Sequence, residues 1–226
     1  MTPNTLSRFT AAVLLAAPLA VAVAATPPAT VALPKPDTTG RFTLAHAIQA
    51  RRSIRDYTPA PLTLAEVSQL MWSAQGITGA DDRHRAVPSA RAVHPLQVRL
   101  EVRNVTGLAP GLYVYRPKEH ALALLAAGDR KPAVMEAAGQ PCINAAAAVL
   151  CVAGDSALAA SKFGPNAVRW LGMEAGFVVE NVYLTGTSLG LGTVMVGGYD
   201  EPRANVAFAL EPGWQTLALM PLGHRK

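Results

Sequence analysis

Three stretches of this 226-residue chain carry side chains whose types and spacing could do chemistry. The first is Arg51-Arg52-Ser53-Ile54-Arg55. Three guanidinium groups and a hydroxyl within five residues can hold a phosphate, because the planar fork of arginine grips an oxyanion at two points. The same residues also suit a solvated basic helix end, which the helix dipole favours. The second is Val87-Pro88-Ser89-Ala90-Arg91-Ala92-Val93-His94-Pro95-Leu96, a Pro-bounded run of small residues leading into a strand. Small side chains let a flat ligand approach the backbone, although an ordinary loop reads the same way. The third joins Leu189-Gly190-Leu191-Gly192 to Val196-Gly197-Gly198-Tyr199-Asp200. Glycine permits close backbone approach and leaves its N–H exposed, so a pair after a strand can offer donors to a ring nitrogen. Gly190 and Gly192 do not complete G-x-G-x-x-G, and a helix precedes them in place of a strand, which argues against a Rossmann dinucleotide site. No G-x-S-x-G elbow occurs. The five histidines are dispersed, and no CxxC or HxxxH spacing suggests a metal site.

The elements that must position these stretches can be read from periodicity and caps. Leu44 to Ser53 reads as a helix capped by Thr43. Thr63 to Ala74 reads as a second, with Thr63 and Glu66 forming a capping box and Gly76 ending it. Leu96 to Val102 alternates as a strand. Gly111 to Tyr115 and Ala121 to Leu125 read as two strands about a turn at Pro117-Lys118. Asp129 to Ala138 is a short helix, and Ala146 to Val152 a buried strand. Val168 to Ser188 is the longest helical stretch, apolar almost all round, as expected of a helix buried in a core or an interface. A short strand over Thr193 to Val196, a helix over Glu201 to Ala209 and a last strand over Gln215 to Leu222 complete the chain. Helices and strands mix without regular alternation, which favours an α+β architecture over a doubly wound sheet.

Half of the residues are hydrophobic and 15% are charged, enough apolar content for one folded domain and the reverse of a disordered composition. Met1 to Arg8 is a short polar start with one cation, Phe9 to Val23 is apolar, and small residues at Ala22-Val23-Ala24-Ala25 fit a signal-peptidase site. The expectation is a signal peptide over 1–24 and export to the periplasm or beyond; the apolar run is shorter than the ~20 residues a spanning helix needs. Residues 25–40, rich in Pro and Thr, read as an extended linker, and the globular domain as 41–226. The pI of about 9.5 raises a nucleic-acid partner, but the cations are scattered, with no longer basic run interleaved with aromatics. Cys142 and Cys151 read as two separate small core residues.

Taken together and in order, RRSIRDY, PLTLAEVSQLMWSAQGIT, RAVPSARAVHPL, GLAPGLYVYRPKEHALALL, LGMEAGFVVENVYLTGTSLGLGTVMVGGYDE and LMPLGH resemble the nitroreductase superfamily, and within it the SagB-type branch that includes azoline oxidases. The resemblance implies an α+β fold with a central, mostly antiparallel sheet flanked by helices. It also implies a homodimer built on a long buried interface helix, with two FMN molecules at the interface. Arg51, Ser53 and Arg55, together with Arg52 of the same cluster, match the positions that hold the FMN phosphate. Pro88, Ser89 and Ala90 match the segment lying on the flavin from the other subunit, Gly197 and Gly198 the turn facing flavin N5, and Arg225, loosely, a further phosphate-binding arginine. The chain departs from the branch where Arg91 replaces a usual glycine. It departs again where Lys162-Phe163 stands for the Lys-Tyr pair of the azoline oxidases, which leaves Lys162 the single catalytic candidate. In the long helix Phe177 and Glu180 replace residues that are often His and Gln.

The function so implied is an FMN-dependent oxidoreductase that passes hydride through flavin N5 from a donor such as NAD(P)H to a small organic acceptor, a quinone or nitroaromatic. The alternatives are FMN-dependent oxidation of a peptide or small metabolite in the SagB manner, and a flavin-binding protein without turnover. No metal and no nucleic acid enters any of these.

Overall fold

A strand buried on both faces sits at the centre of the protein, and its sequence explains why. In the computed structural model, which describes residues 30–40 and 42–226, Ala148, Leu150 and Val152 point into one apolar core while Val149, Cys151 and Ala153 point into another. Successive strand residues face opposite sides of a sheet, so an unbroken apolar run needs cover on both. The strands in chain order are β1 (Thr30–Ala32), β2 (Leu62–Thr63), β3 (Leu96–Val102), β4 (Val105–Thr106), β5 (Gly111–Arg116), β6 (Ala121–Ala127), β7 (Ala148–Asp155), β8 (Leu191–Thr193) and β9 (Trp214–His224). Seven of them form one sheet in the order β1-β6-β5-β3-β7-β9-β8, and every pairing in it is antiparallel. The two-residue strands β2 and β4 pair separately and in parallel.

The helices are α1 (Leu44–Ala50), α2 (Leu64–Gln75), α3 (Lys131–Ala138), α4 (Pro141–Ala145), α5 (Ser156–Phe163), α6 (Ala167–Ser188) and α7 (Glu201–Ala207). Residues of α2, α5 and α6 fill the larger core, and residues of α3, α4 and α7 the smaller. The α+β reading with a flanked antiparallel sheet is therefore what the protein adopts. Thr63 and Glu66 form the full capping box, each side chain bonded to the other's backbone N–H.

Several sequence expectations change. Residues 30–32, placed in a linker, form β1 and pair with Ala121–Ala123; Leu33 beyond them is buried, and the backbone N–H of Asp37 donates to Gln69 Oε1 at 2.9 Å. The polar-looking segment gains order from the open edge of β6, a non-local partner. The first helix ends at Ala50, so the Arg51–Arg55 motif lies beyond it, outside any helix or strand. Two short helices, α4 and α5, occupy stretches not assigned to helix. The signal segment, 1–24, and Arg41 lie outside the described residues, among which no helix is long and apolar enough to cross a membrane. Both cysteines are free and buried.

Candidate active site

Glycines in the last strands let the arginine motif dock. Gly192 lies so close to Ile54 that a Cβ there would stand 2.6 Å from Ile54 Cγ2, and a Cβ on Gly223 would stand 2.9 Å from Tyr57 Cβ. Backbone bonds seal the contact. Ile54 N–H donates to Thr193 O at 2.9 Å, and Thr58 N–H to His224 O at 2.8 Å. Tyr57 bridges Arg225 across the extended end of β9, which brings Arg225 beside the motif 170 residues away in sequence. Tyr57 is buried, and burial first, then neighbouring Cys142 and Tyr183, push its phenol well above the usual range. It therefore acts as a neutral hydroxyl, donating to Ile54 O at 2.8 Å.

Tyr183 of α6 joins this region to the twin-glycine segment. Its hydroxyl accepts from Met195 N–H at 2.7 Å and lies 3.1 Å from Ser53 Oγ, while the Arg51 guanidinium stands 5.2 Å above its ring centroid. One buried tyrosine thus holds Arg51, Ser53 and the start of Met195-Val196-Gly197-Gly198. Val196 pairs with Leu219 of β9, so the segment leaves a rigid strand. Gly197 and Gly198 are exposed, and their N–H groups donate to nothing among the described residues. Gly198 O accepts from Gln140 Nε2 at 3.0 Å. Asp200 then caps α7 by accepting from Arg203 N–H.

The members of the arginine motif differ in what they do. Arg52 turns back and donates to Gln49 O at 3.0 Å and Arg51 O at 2.7 Å. It closes the end of α1, the helix-end reading that the sequence also allowed. Arg55 is exposed and, like Arg51 and Arg225, makes no ion pair with a carboxylate among the described residues. Those three charges remain available to an anion.

Pro88, Ser89 and Ala90 stand elsewhere. They floor an open cavity of about 380 Å³ walled by Trp170, Met173, Glu174 and Phe177 of α6. Glu174 is 4% exposed, and its Oε1 accepts from Ala90 N–H at 2.8 Å and from Ser89 Oγ–H at 3.1 Å. Ser89 Oγ in turn accepts from His94 N–H at 2.9 Å. Burial raises the Glu174 carboxyl above its ordinary range; the two donated bonds oppose this without reversing it. Arg91, Ala92 and His94 all adopt left-handed backbone, with φ of 56, 53 and 52°. Arg91 Nη1 donates to Lys162 O at 2.9 Å. The Lys162 side chain itself is exposed, so its backbone, not its amine, meets the loop.

Sequence reasoning missed Tyr183 and Glu174. A signal existed for the second: Leu171, Ala175, Val178 and Val182 form the buried stripe of α6, and a carboxylate three residues after Leu171, on the same face, is out of place unless hydrogen-bonded.

An antiparallel sheet with helices on both faces, an arginine motif docked beside a twin-glycine turn, and an apolar cavity along a long helix together define an α+β protein with a candidate small-molecule site. Comparison with known proteins gives the particular family. The nitroreductase family model matches residues 48–224, and the chain belongs to that family. A curated protein of Methanocaldococcus jannaschii named as a nitroreductase is 37% identical over 177 residues, 77% of this chain and 87% of that one. A solved structure from Ralstonia eutropha, also named as a nitroreductase, superimposes with a TM-score of 0.76 at 25% identity, over 89% of this chain and 95% of that one. A chain of the Escherichia coli microcin synthetase McbBCD complex has the same fold, with a TM-score of 0.68 at 18% identity, over 84% and 75% of the two chains. Family membership makes the protein an oxidoreductase; flavin use and dimeric assembly are general in the family.

Proposed function

We propose that the protein is an FMN-dependent oxidoreductase that passes hydride between a donor such as NAD(P)H and a small organic acceptor, a quinone or nitroaromatic. The observation that carries this is Tyr183, which ties Arg51 and Ser53 to the Met195–Gly198 segment. The residues present fit the cofactor. Arg51, Arg55 and Arg225 are uncompensated cations suited to its phosphate, and Ser53 adds a hydroxyl. A Cβ on Gly197 or Gly198 would meet only Met195 Sδ at 3.5 Å and Gln140 Nε2 at 3.7 Å, so a ring edge can come close to two unspent N–H donors. FMN supplies the electron-accepting ring. The protein's part is to anchor the phosphate by charge-assisted bonds, to orient the ring edge through Gly197 and Gly198, and to cover one face with Pro88–Ala90.

That division of labour needs two copies of the chain. Glu174 and Tyr183 are nine residues apart on α6, roughly 13 Å along the axis and about half a turn round it at 3.6 residues per turn. The loop held by Glu174 therefore faces away from the segment held by Tyr183 of the same protomer. A partner's loop can supply the missing wall. The surface for it is present: Val168, Met173 and Phe177 are 82, 54 and 46% exposed, and Gly172 and Gly176 between them have open space where a side chain would be. A homodimer with flavins between the subunits accounts for this apolar stripe.

The test is the visible spectrum of the purified protein. Absorbance of the ~450 nm flavin kind, released as FMN on denaturation, is expected; a colourless protein that gains none when mixed with FMN refutes the proposal. A second reading, oxidation of a peptide or small metabolite, draws on the resemblance to the SagB-type branch, in which Lys162-Phe163 stands at the Lys-Tyr pair of the azoline oxidases. Anaerobic flavin reduction by NADH or NADPH supports the first reading, and reduction by neither favours the second. Flavin that binds tightly yet cannot be reduced by any donor marks a carrier without turnover. We further propose that residues 1–24 direct export; mature protein recovered outside the cytoplasm and lacking this segment is the expected result.

A further inference from the structure

We propose that Glu174 is the proton donor of the cavity, delivering a proton from Oε2 to a quinone-type acceptor bound between Pro88–Ala90 and the flavin ring that this loop faces in the proposed dimer. The inference rests on the flavin reading above and adds the group that balances its protons.

The geometry fixes one oxygen and frees the other. Oε1 takes both Ala90 N–H and Ser89 Oγ–H, which locks the carboxyl plane. Oε2 makes no hydrogen bond among the described residues, and it is not among the buried polar atoms sealed away without a partner. Glu174 lines the cavity with Trp170, Met173 and Phe177, so the free oxygen has that cavity to address. A carboxylate in such a place lacks compensation. Among the described residues no cation pairs with Glu174: Arg169 on its own helix and Lys162 on α5 are exposed, and the other charged group of that stretch, Glu180, is an exposed anion. The adjacent Arg91 is directed to Lys162 O. Burial accordingly shifts the carboxyl toward the protonated acid, the direction that suits a general acid.

Reduction of a quinone by two electrons consumes one hydride and one proton. The hydride, with both electrons, would be supplied by reduced flavin held at the partner's arginine motif and glycine turn. The Oε2–H bond breaks, its proton goes to the quinone oxygen that the hydride does not neutralise, and the bonding pair stays on Oε2 as carboxylate. The product leaves as the hydroquinone, and water returns a proton to Glu174. The donors at Oε1 stabilise the transient carboxylate.

The experiment follows reoxidation of the photoreduced holoprotein by menadione in a stopped-flow cell across pH. Glu174→Gln keeps an acceptor oxygen for Ala90 and Ser89 but has no transferable proton. The expected result is a reoxidation rate about 10²-fold lower, the scale of a lost general acid, and loss of the wild-type pH inflection. Ser89→Ala removes one donor that stabilises the carboxylate, so the inflection should move to higher pH. Infrared difference spectra of the wild-type holoprotein should show a protonated carboxyl band that titrates with the same inflection and is missing in Glu174→Gln. A holoprotein with bound flavin in which Glu174→Gln keeps the wild-type rate and pH profile overturns the inference and leaves the flavin reading intact. So does a wild-type protein whose infrared spectrum shows no such carboxyl. A protein that binds no flavin overturns both.

Discussion

Removing one oxygen atom from Tyr183 should loosen two distant segments at once. Tyr183→Phe deletes the hydroxyl that accepts from Met195 N–H at 2.7 Å and meets Ser53 Oγ at 3.1 Å. Ser53 is exposed and can bond to water instead, so its share is small. Met195 N–H loses its acceptor within a region packed against β9, and a donor left unpaired costs about 1–3 kcal/mol. The net loss expected is about 1–2 kcal/mol. For a chain of this size that lowers Tm by about 2–8 °C. The same loss, if it falls on the geometry of Gly197 and Gly198, weakens FMN about 5- to 30-fold at tenfold per 1.4 kcal/mol. The ring remains, so the Arg51 contact at 5.2 Å survives in Tyr183→Phe and disappears only in Tyr183→Leu, which should weaken FMN by a further ~0.5–1 kcal/mol. Thermal unfolding of the apoprotein by circular dichroism and flavin-fluorescence titration read the two effects separately. If Tyr183→Phe retains the wild-type Tm and Kd, Tyr183 is not the link between the halves of the site.

Three further perturbations test other parts of the reasoning. Phe177→Asp, at a position 46% exposed in one protomer, should leave the monomer folded but raise the dimer Kd more than a hundredfold through a buried unpaired charge; light scattering showing intact flavin-loaded dimers would refute the placement. Val179 is less suited to this test because it is half-buried against the main core, so a charge there is expected to destabilise the protomer as well as any interface. Burial pushes the Cys151 thiol up to about 12, and Cys142 is equally buried, so a thiol reagent at pH 8 should find no reactive cysteine in the native protein and two after denaturation; fewer than two in denaturant without reductant would mean a disulfide. The folded Glu174 carboxyl is raised above its ordinary 4.5, so its contribution to stability is fully present below that value and is lost as pH rises through the folded pKa. Urea unfolding across pH should therefore show Glu174→Gln gaining on the wild type as pH climbs above about 4.5, and parallel curves would contradict the shift.

How much of this was legible in the sequence depended on how local the cause was. The Thr63–Glu66 capping box spans four residues and was readable at once, as was β3, whose alternation begins just after Pro95 and ends at Val102. β1 was not, because Thr30–Ala32 has no pattern of its own and is ordered by β6 some 90 residues on. α5 escaped because SALAASKF is short and starts directly at the end of β7, with Asp155 serving as its cap. The arginine motif and the glycine turn were visible as candidates. Their meeting depends on Tyr183, a residue that looks in sequence like one more apolar helix position. Arg52 could not be told from Arg51 and Arg55, since all three share composition and differ only in where the helix stops. Glu174 stood in plain view on an apolar stripe, yet its partners, Ser89 and Ala90, are more than 80 residues away.

The loop after Pro88 shows why its helix contact matters. Arg91, Ala92 and His94 hold φ values of 56, 53 and 52°, and left-handed backbone costs an L-residue about 1–2 kcal/mol, or about 3–6 kcal/mol for the three. Four hydrogen bonds oppose that cost: two into Glu174 Oε1, His94 N–H to Ser89 Oγ, and Arg91 Nη1 to Lys162 O. At about 1 kcal/mol each they match the strain and do not greatly exceed it. The loop's shape is therefore imposed from α5 and α6 and would relax without them, which is how strain persists at functional sites. Tyr183 acts the same way on the other segment, bonding Met195 N–H as Glu174 bonds Ala90 N–H. A single rigid helix thus fixes the positions of both loops relative to each other. In the proposed homodimer, two such helices related by a twofold axis need only set one angle and one offset to bring each loop over its partner's glycine turn. On that proposal the precision of the site derives from α6 and from the packing of two helices, and little from the conformational preferences of the loops themselves.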